Sequence, residues 1–189
     1  MSQPAYRAIV LSLLGIGLTM TGLAASALIL AAQNNINAGS QIDFSAIPAK
    51  VQSEAPALTL TDIHGIPHSL SDYRGQVMLV NLWATWCPAC QTEMPNLQAF
   101  YTNHQNEGFT LIGIEAGDPT ADVISFVRKY DLNFSIWLDP NYLASHSAFR
   151  TMTLPSSYVI DRNGVIRLEW MGAISEQNLE KYIEPLVQE

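Results

Sequence analysis

The stretch Val77-Met78-Leu79-Val80-Asn81-Leu82-Trp83-Ala84-Thr85-Trp86-Cys87-Pro88-Ala89-Cys90 decides the fold. Its first seven residues form an apolar run broken only by Asn81, the pattern of a strand buried on both faces. The run leads directly into a C-x-x-C pair, with Pro88 at the first turn of a helix, where a missing N–H costs nothing. A cysteine at a helix start meets unpaired N–H groups and the positive end of the helix dipole, and both stabilise a thiolate. Cys87 is therefore expected to be the exposed nucleophile. Cys90, one turn later on the same face, is expected to resolve the mixed disulfide that Cys87 makes. The chain of 189 residues has two cysteines, and three positions apart they cannot staple distant parts of a small fold. A cycling redox pair fits that spacing.

Outward from the pair, residues 88–105 read as a helix with Met94, Leu97 and Tyr101 on one stripe and Pro95 bending it; Gly108 ends that element. A strand over 109–114, a helix over 120–130 with Val123, Phe126 and Val127 inward, and a short strand over 134–138 follow. After an irregular or helical stretch at 142–149, strands over 157–160 and 165–170 flank Asn163-Gly164, a hairpin-turn signal. Ser175 is a candidate N-cap for a closing helix that reaches Val187. Upstream, Ala57 to Thr61 and a segment through Leu70, separated by a turn at His64-Gly65, read as a small N-terminal hairpin. Strands alternating with helices and then pairing as a hairpin imply an α/β domain with a central mixed sheet flanked by helices.

Residues 8–32, AIVLSLLGIGLTMTGLAASALILAA, carry no charge. At about 1.5 Å per residue they exceed the roughly 30 Å hydrocarbon core of a bilayer, so a single N-terminal transmembrane helix is expected. Arg7 and the amino terminus precede the run, and the next charges are Asp43 and Lys50; the positive-inside bias then puts residues 1–7 in the cytoplasm and the remainder outside. A signal peptide cleaved near Ala25-Ser26-Ala27 is the other reading, with the same compartment for the domain. Residues 33–55, rich in Asn, Gln, Ser and Ala without periodicity, read as a flexible stalk, and 56–189 as the folded domain. The formal charge of -8 excludes a nucleic-acid binder, which needs clustered Lys and Arg.

Taken together, VMLVNLWATW (77–86), the CPAC motif (87–90), IGIEAGDP (112–119), TLPSSYVID (153–161) and the hairpin beyond resemble the thioredoxin superfamily. Within it they are most similar to the membrane-anchored TlpA/ResA-like thiol-disulfide oxidoreductases, which include the cytochrome c biogenesis reductases. The resemblance covers roughly Ala55 to Val187. It implies a thioredoxin-like fold, an enzyme that needs no cofactor or metal, protein thiol or disulfide clients, and a membrane thiol donor of electrons. It implies that Pro155 is a cis-proline facing the cysteines, and that Trp86, Pro88, Leu154 and Pro155 meet the substrate. Thioredoxins themselves place a buried aspartate where this chain has Asn81. The resemblance therefore implies that Glu115 or Asp118 handles the proton of Cys90, Gly117-Asp118 matching the group's Gly-Glu; Asp118 as a mere cap near Pro119 remains the alternative.

Other chemistries compete. The same dithiol could serve an oxidase of the disulfide-forming kind, since potential depends on small differences in thiolate stabilisation. A copper chaperone would use Cys87 and Cys90 as soft ligands, but no second CxxC and no His or Met cluster accompanies them, only Met152 near Pro155. A peroxiredoxin would need a Thr-x-x-Cys arrangement that is missing. His64, His68, His104 and His146 lie outside the motif, and none is needed for dithiol exchange.

Overall fold

Strand β4 (Val77–Trp83) is buried at all seven positions. In a strand successive side chains point to opposite faces, so an unbroken apolar run must be covered on both sides. Val77, Leu79 and Trp83 join the core beneath helices α1 (Pro88–His104), α2 (Thr120–Lys129) and α3, which runs from Glu176 to Gln188. Met78, Val80 and Leu82 face a second core, closed by Leu58, Leu60 and Leu70 and by Ala144 and Phe149. The computed structural model that gives this arrangement describes residues 47–189.

Eight strands form one mixed sheet. With β1 (Ala49–Glu54), β2 (Thr59–Asp62), β3 (Pro67–Ser69), β5 (Phe109–Glu115), β6 (Ser135–Leu138), β7 (Ser156–Ile160) and β8 (Val165–Met171), the order is β1-β8-β7-β4-β5-β6-β2-β3. The pairs β4–β5 and β5–β6 are parallel, as crossover helices require, and the other pairs are antiparallel. The expected hairpin at His64-Gly65 is β2–β3, and Asn163-Gly164 turns β7 into β8 with Gly164 at φ 83°. This is a thioredoxin-like α/β fold.

One expectation changes, and two helical stretches gain detail. The tail of the presumed stalk is strand β1, paired antiparallel with β8. Only Val51 in it is even half-buried, so it is held by backbone hydrogen bonds and leaves no apolar period to read. The stretch at 142–149 contains a π-helical turn, Leu143–Ala148. A second π-helical segment, Leu179–Ile183, lies within α3 just before Pro185, which has no N–H for the regular helical ladder. The membrane span expected at 8–32 lies outside the described residues; among the described residues no helix is long and apolar enough to cross a membrane.

Candidate active site

Cys87 is the N-cap of α1, with extended backbone (φ -84°, ψ 111°), and Pro88 takes the first helical position. Cys87 and Cys90 form a disulfide, their Cα atoms 5.3 Å apart. The Cys90 N–H donates to Cys87 Sγ at 3.2 Å, so the sulfur occupies the place of an N-capping oxygen. Both cysteines are buried in this oxidised state, Cys87 at 4% exposure and Cys90 at 0%. The open nucleophile expected from sequence is thus covered while its sulfur is bonded to Cys90. Trp86 stands beside it, 64% exposed.

The Leu154–Pro155 peptide bond is cis. Leu82 pairs with Ser156 in the β4–β7 ladder, so one step further Pro155 lies beside Trp83, at the end of β4 that leads into the redox turn. Leu154 is half-buried, and Met152, two residues before it, is exposed. The four residues expected to meet a substrate, Trp86, Pro88, Leu154 and Pro155, therefore all lie at the C-terminal end of β4.

The two candidate carboxyl groups occupy different places. Glu115 closes β5, 1% exposed, and burial, helped by the neighbouring carboxylates of Asp118 and Asp139, pushes it up to about 8. Asp118 is half-buried in the turn after it. Burial works to raise its pKa, but hydrogen bonds outweigh that and hold it below the usual carboxylate range. These come from the Thr85 N–H (2.8 Å) and the Thr85 hydroxyl (2.7 Å), with Glu115 and the Trp86 indole contributing. Asp118 is therefore an ionised anchor of the segment entering the redox turn. It does not cap α2, whose N-cap is Pro119 and whose start has no side-chain cap.

A third carboxyl group, Glu93, is not among the candidates that the sequence singles out. It lies one helical turn beyond Cys90, 1% exposed among apolar neighbours. Its Oε1 accepts from Asn81 Nδ2 at 2.8 Å and its Oε2 from the Ile174 N–H at 2.9 Å. Burial pushes its pKa up to about 7, and these two hydrogen bonds keep it from rising further. Asn81 also donates to Ser157 Oγ at 2.9 Å. The buried acid of this site thus stands on α1, with Asn81 on β4 as its partner. The signal for it was present in the spacing, since Glu93 shares the stripe of Cys90, Met94 and Leu97.

A disulfide that closes within one helical turn can form and break in place, and a thioredoxin-like sheet carrying one at the end of its central strand defines the chain as a thiol-disulfide oxidoreductase. Comparison with known proteins agrees. Residues 51–169 match the AhpC/TSA family. The thiol-disulfide oxidoreductase ResA of Geobacillus kaustophilus is 32% identical over 136 residues, 72% of this chain and 78% of that protein. Among solved structures, a protein of Chlorobium tepidum assigned as the thiol:disulfide interchange protein DsbE superposes with a TM-score of 0.67 at 26% identity, over 74% of this chain and 98% of that one. A secreted thiol-disulfide isomerase of Corynebacterium glutamicum (TM-score 0.70, 21% identity, 79% and 96% covered) shares the fold. The chain belongs to the AhpC/TSA family and, within the thioredoxin superfamily, to the ResA-like thiol-disulfide oxidoreductases.

Proposed function

We propose that this enzyme is an extracytoplasmic reductase of protein disulfides, tethered to a bacterial membrane through residues 8–32, with apocytochrome c cysteines among its clients. The Cys87 thiolate attacks one sulfur of a client disulfide. The client's S–S bond breaks, a Cys87–client mixed disulfide forms, and the expelled client thiolate takes a proton. Cys90 then loses its proton to Glu93, one turn along the helix, and attacks Cys87 Sγ. The reduced client leaves, the Cys87–Cys90 disulfide closes, and two electrons have passed to the client. A membrane thiol donor restores the dithiol.

The observation that supports reduction over oxidation is the acidity around the pair. A strong oxidant stabilises its reduced form, chiefly as a thiolate. Here the ionisable groups close to the redox turn are carboxyl groups: Glu93 beyond Cys90, and Asp118 bound to Thr85 and Trp86 with Glu115 behind it. Among the described residues none of the three is in an ion pair with a cation. Negative or desolvated acids beside a thiol disfavour its thiolate, which leaves the disulfide as the more stable form of the pair and makes the dithiol a donor.

Replacing Cys90→Ser removes the resolving thiol, so client proteins should accumulate in long-lived mixed disulfides through Cys87. Alkylation of the wild-type pair in cells should find it mostly reduced. A mostly oxidised pair would turn the reading to a dithiol oxidase, and a Cys90→Ser chain that captures no thiol partner would end it.

A further inference from the structure

Thr85, two residues before Cys87, has each of its polar groups engaged. Asp118 Oδ2 takes both its N–H and its hydroxyl. Its carbonyl accepts from Gln91 Nε2 at 2.7 Å, and Gln91 Oε1 accepts in turn from the Tyr130 hydroxyl at 3.4 Å. The residue that aims the redox turn is therefore gripped by α1 on one side and by the turn after β5 on the other. Behind Asp118 lies Glu115, whose two carboxylate oxygens are 3.0 and 3.2 Å from the Asp118 N–H. The proton affinities of the two carboxyl groups are driven in opposite directions, Glu115 up, chiefly by burial, and Asp118, against its burial, down, chiefly by the hydrogen bonds from Thr85. Opposite shifts in two neighbouring carboxyl groups favour the state in which Glu115 carries a proton and Asp118 is ionised.

The surroundings of Glu115 make a second negative charge there costly. Just after β6 comes Asp139, whose N–H donates to the Glu115 carbonyl at 2.9 Å and whose carboxylate is held by the N–H groups of Leu143 and Ala144. From β4 the paired residue is Trp83, uncharged. The Tyr142 side chain packs where a Cβ on Gly117 would otherwise lie, closing the turn from outside; Gly117 has φ 90°, a conformation natural only to glycine. Among the described residues the charged groups acting on Glu115 are Asp118 and Asp139, both acidic.

We propose that Glu115 is a positioning residue for the exchange reaction: protonated, it braces Asp118, which holds Thr85 and Trp86 and through them sets the Cys87 sulfur for attack; ionised, it repels Asp118 and loosens that grip. This rests on the reading of Cys87 as the attacking thiol and adds a group that acts on it from two residues away. Its consequence is an unusual pH response. Thiolate formation makes Cys87 more reactive as pH rises, while ionisation of Glu115 near pH 8 works against it, so the rise should flatten in that range.

The test is the rate of Cys87 alkylation by iodoacetamide, an uncharged reagent, between pH 6 and 10. It uses the full chain carrying Cys90→Ser, reduced with a phosphine that is then removed. This parent should show a second inflection near pH 8 beside the thiol titration. Adding Glu115→Gln, which keeps a donor and an acceptor but cannot ionise, should remove that inflection and raise the rate above pH 8 by roughly three- to tenfold, half to one log unit in rate. Profiles that superimpose would overturn the proposal. Should Glu115→Gln fail to fold, the infrared band of protonated carboxyl in the wild-type chain decides: a component lost as pH passes 8 supports the proposal, and its absence overturns it. Neither readout involves a client, so failure here is distinct from failure of Cys90→Ser to trap one.

Discussion

Glu93 occupies a position on α1 that an apolar side chain would ordinarily fill, facing Asn81 across the core. In the sequence, Asn81 points to proton handling elsewhere, and the acids in sight are those of the turn after β5, Glu115 and Asp118. Spacing along one helix shows that Glu93 faces inward. Which strand residue it meets depends on tertiary packing, so the pairing of two buried polar residues twelve positions apart was not legible. The pair carries a stability signature. Folding raises Glu93 from an ordinary 4.5 to about 7, so the folded state binds that proton more tightly than the unfolded one. Its contribution is full below about pH 4.5 and is lost as pH rises through about 7, a change of about 3 kcal/mol at most. Glu93→Gln should flatten the dependence of unfolding free energy on pH between 5 and 8, as read by urea denaturation. It should also lower stability at pH 5, because the Gln amide brings an N–H toward one of the two donors that Glu93 now accepts. An unchanged slope would show that Glu93 does not hold the proton.

At the scale of elements, the long, strongly patterned pieces were legible and the lightly buried ones were not. Strand β4, α1, β5 and the β7–β8 hairpin followed from apolar runs, a proline at a helix start and an Asn-Gly turn. Strand β1 is the counterexample: its side chains are exposed, it is held by pairing alone, and hydrogen bonding to an edge leaves no mark on hydropathy. The tight contact between β5 and its surroundings was equally hidden. A Cβ at Gly113 would lie 2.9 Å from Phe134 Cε2, 3.0 Å from Trp83 Nε1 and 3.1 Å from Ile136 Cδ1. Gly113→Ala should therefore overpack the core beneath the redox strand and cost about 1–3 kcal/mol, measured by thermal or urea unfolding. Displacement of Trp83 should be visible in the same variant as a changed tryptophan emission spectrum. A variant as stable as the wild type would mean that this interface has more room than its contacts indicate.

For the whole molecule, the redox state and the folding equilibrium are coupled through one thermodynamic cycle. If the pair is a reductant, its disulfide is more stable in the folded protein than in the unfolded chain, and closing it must stabilise the fold by the same amount. The oxidised protein is then expected to melt above the reduced one in paired thermal scans. The reverse order is expected of a dithiol oxidase, whose reduced form is the stabilised one. The topology bears on how the enzyme would reach its partners. Ala49 is level with Glu169, Tyr158 and Val80 across four strands, and β1 runs opposite to β4. Residues that precede Ala49 are therefore covalently joined to the domain at the end of the sheet where β4 delivers Cys87, three strand spacings or about 14 Å to one side. The proposed tether would then be fastened on the side of the sheet that carries the sulfur. For an enzyme tethered as proposed, the length of chain before Ile47 would set how far from its anchorage Cys87 can work, and the opposite end of the domain would have no part in that distance.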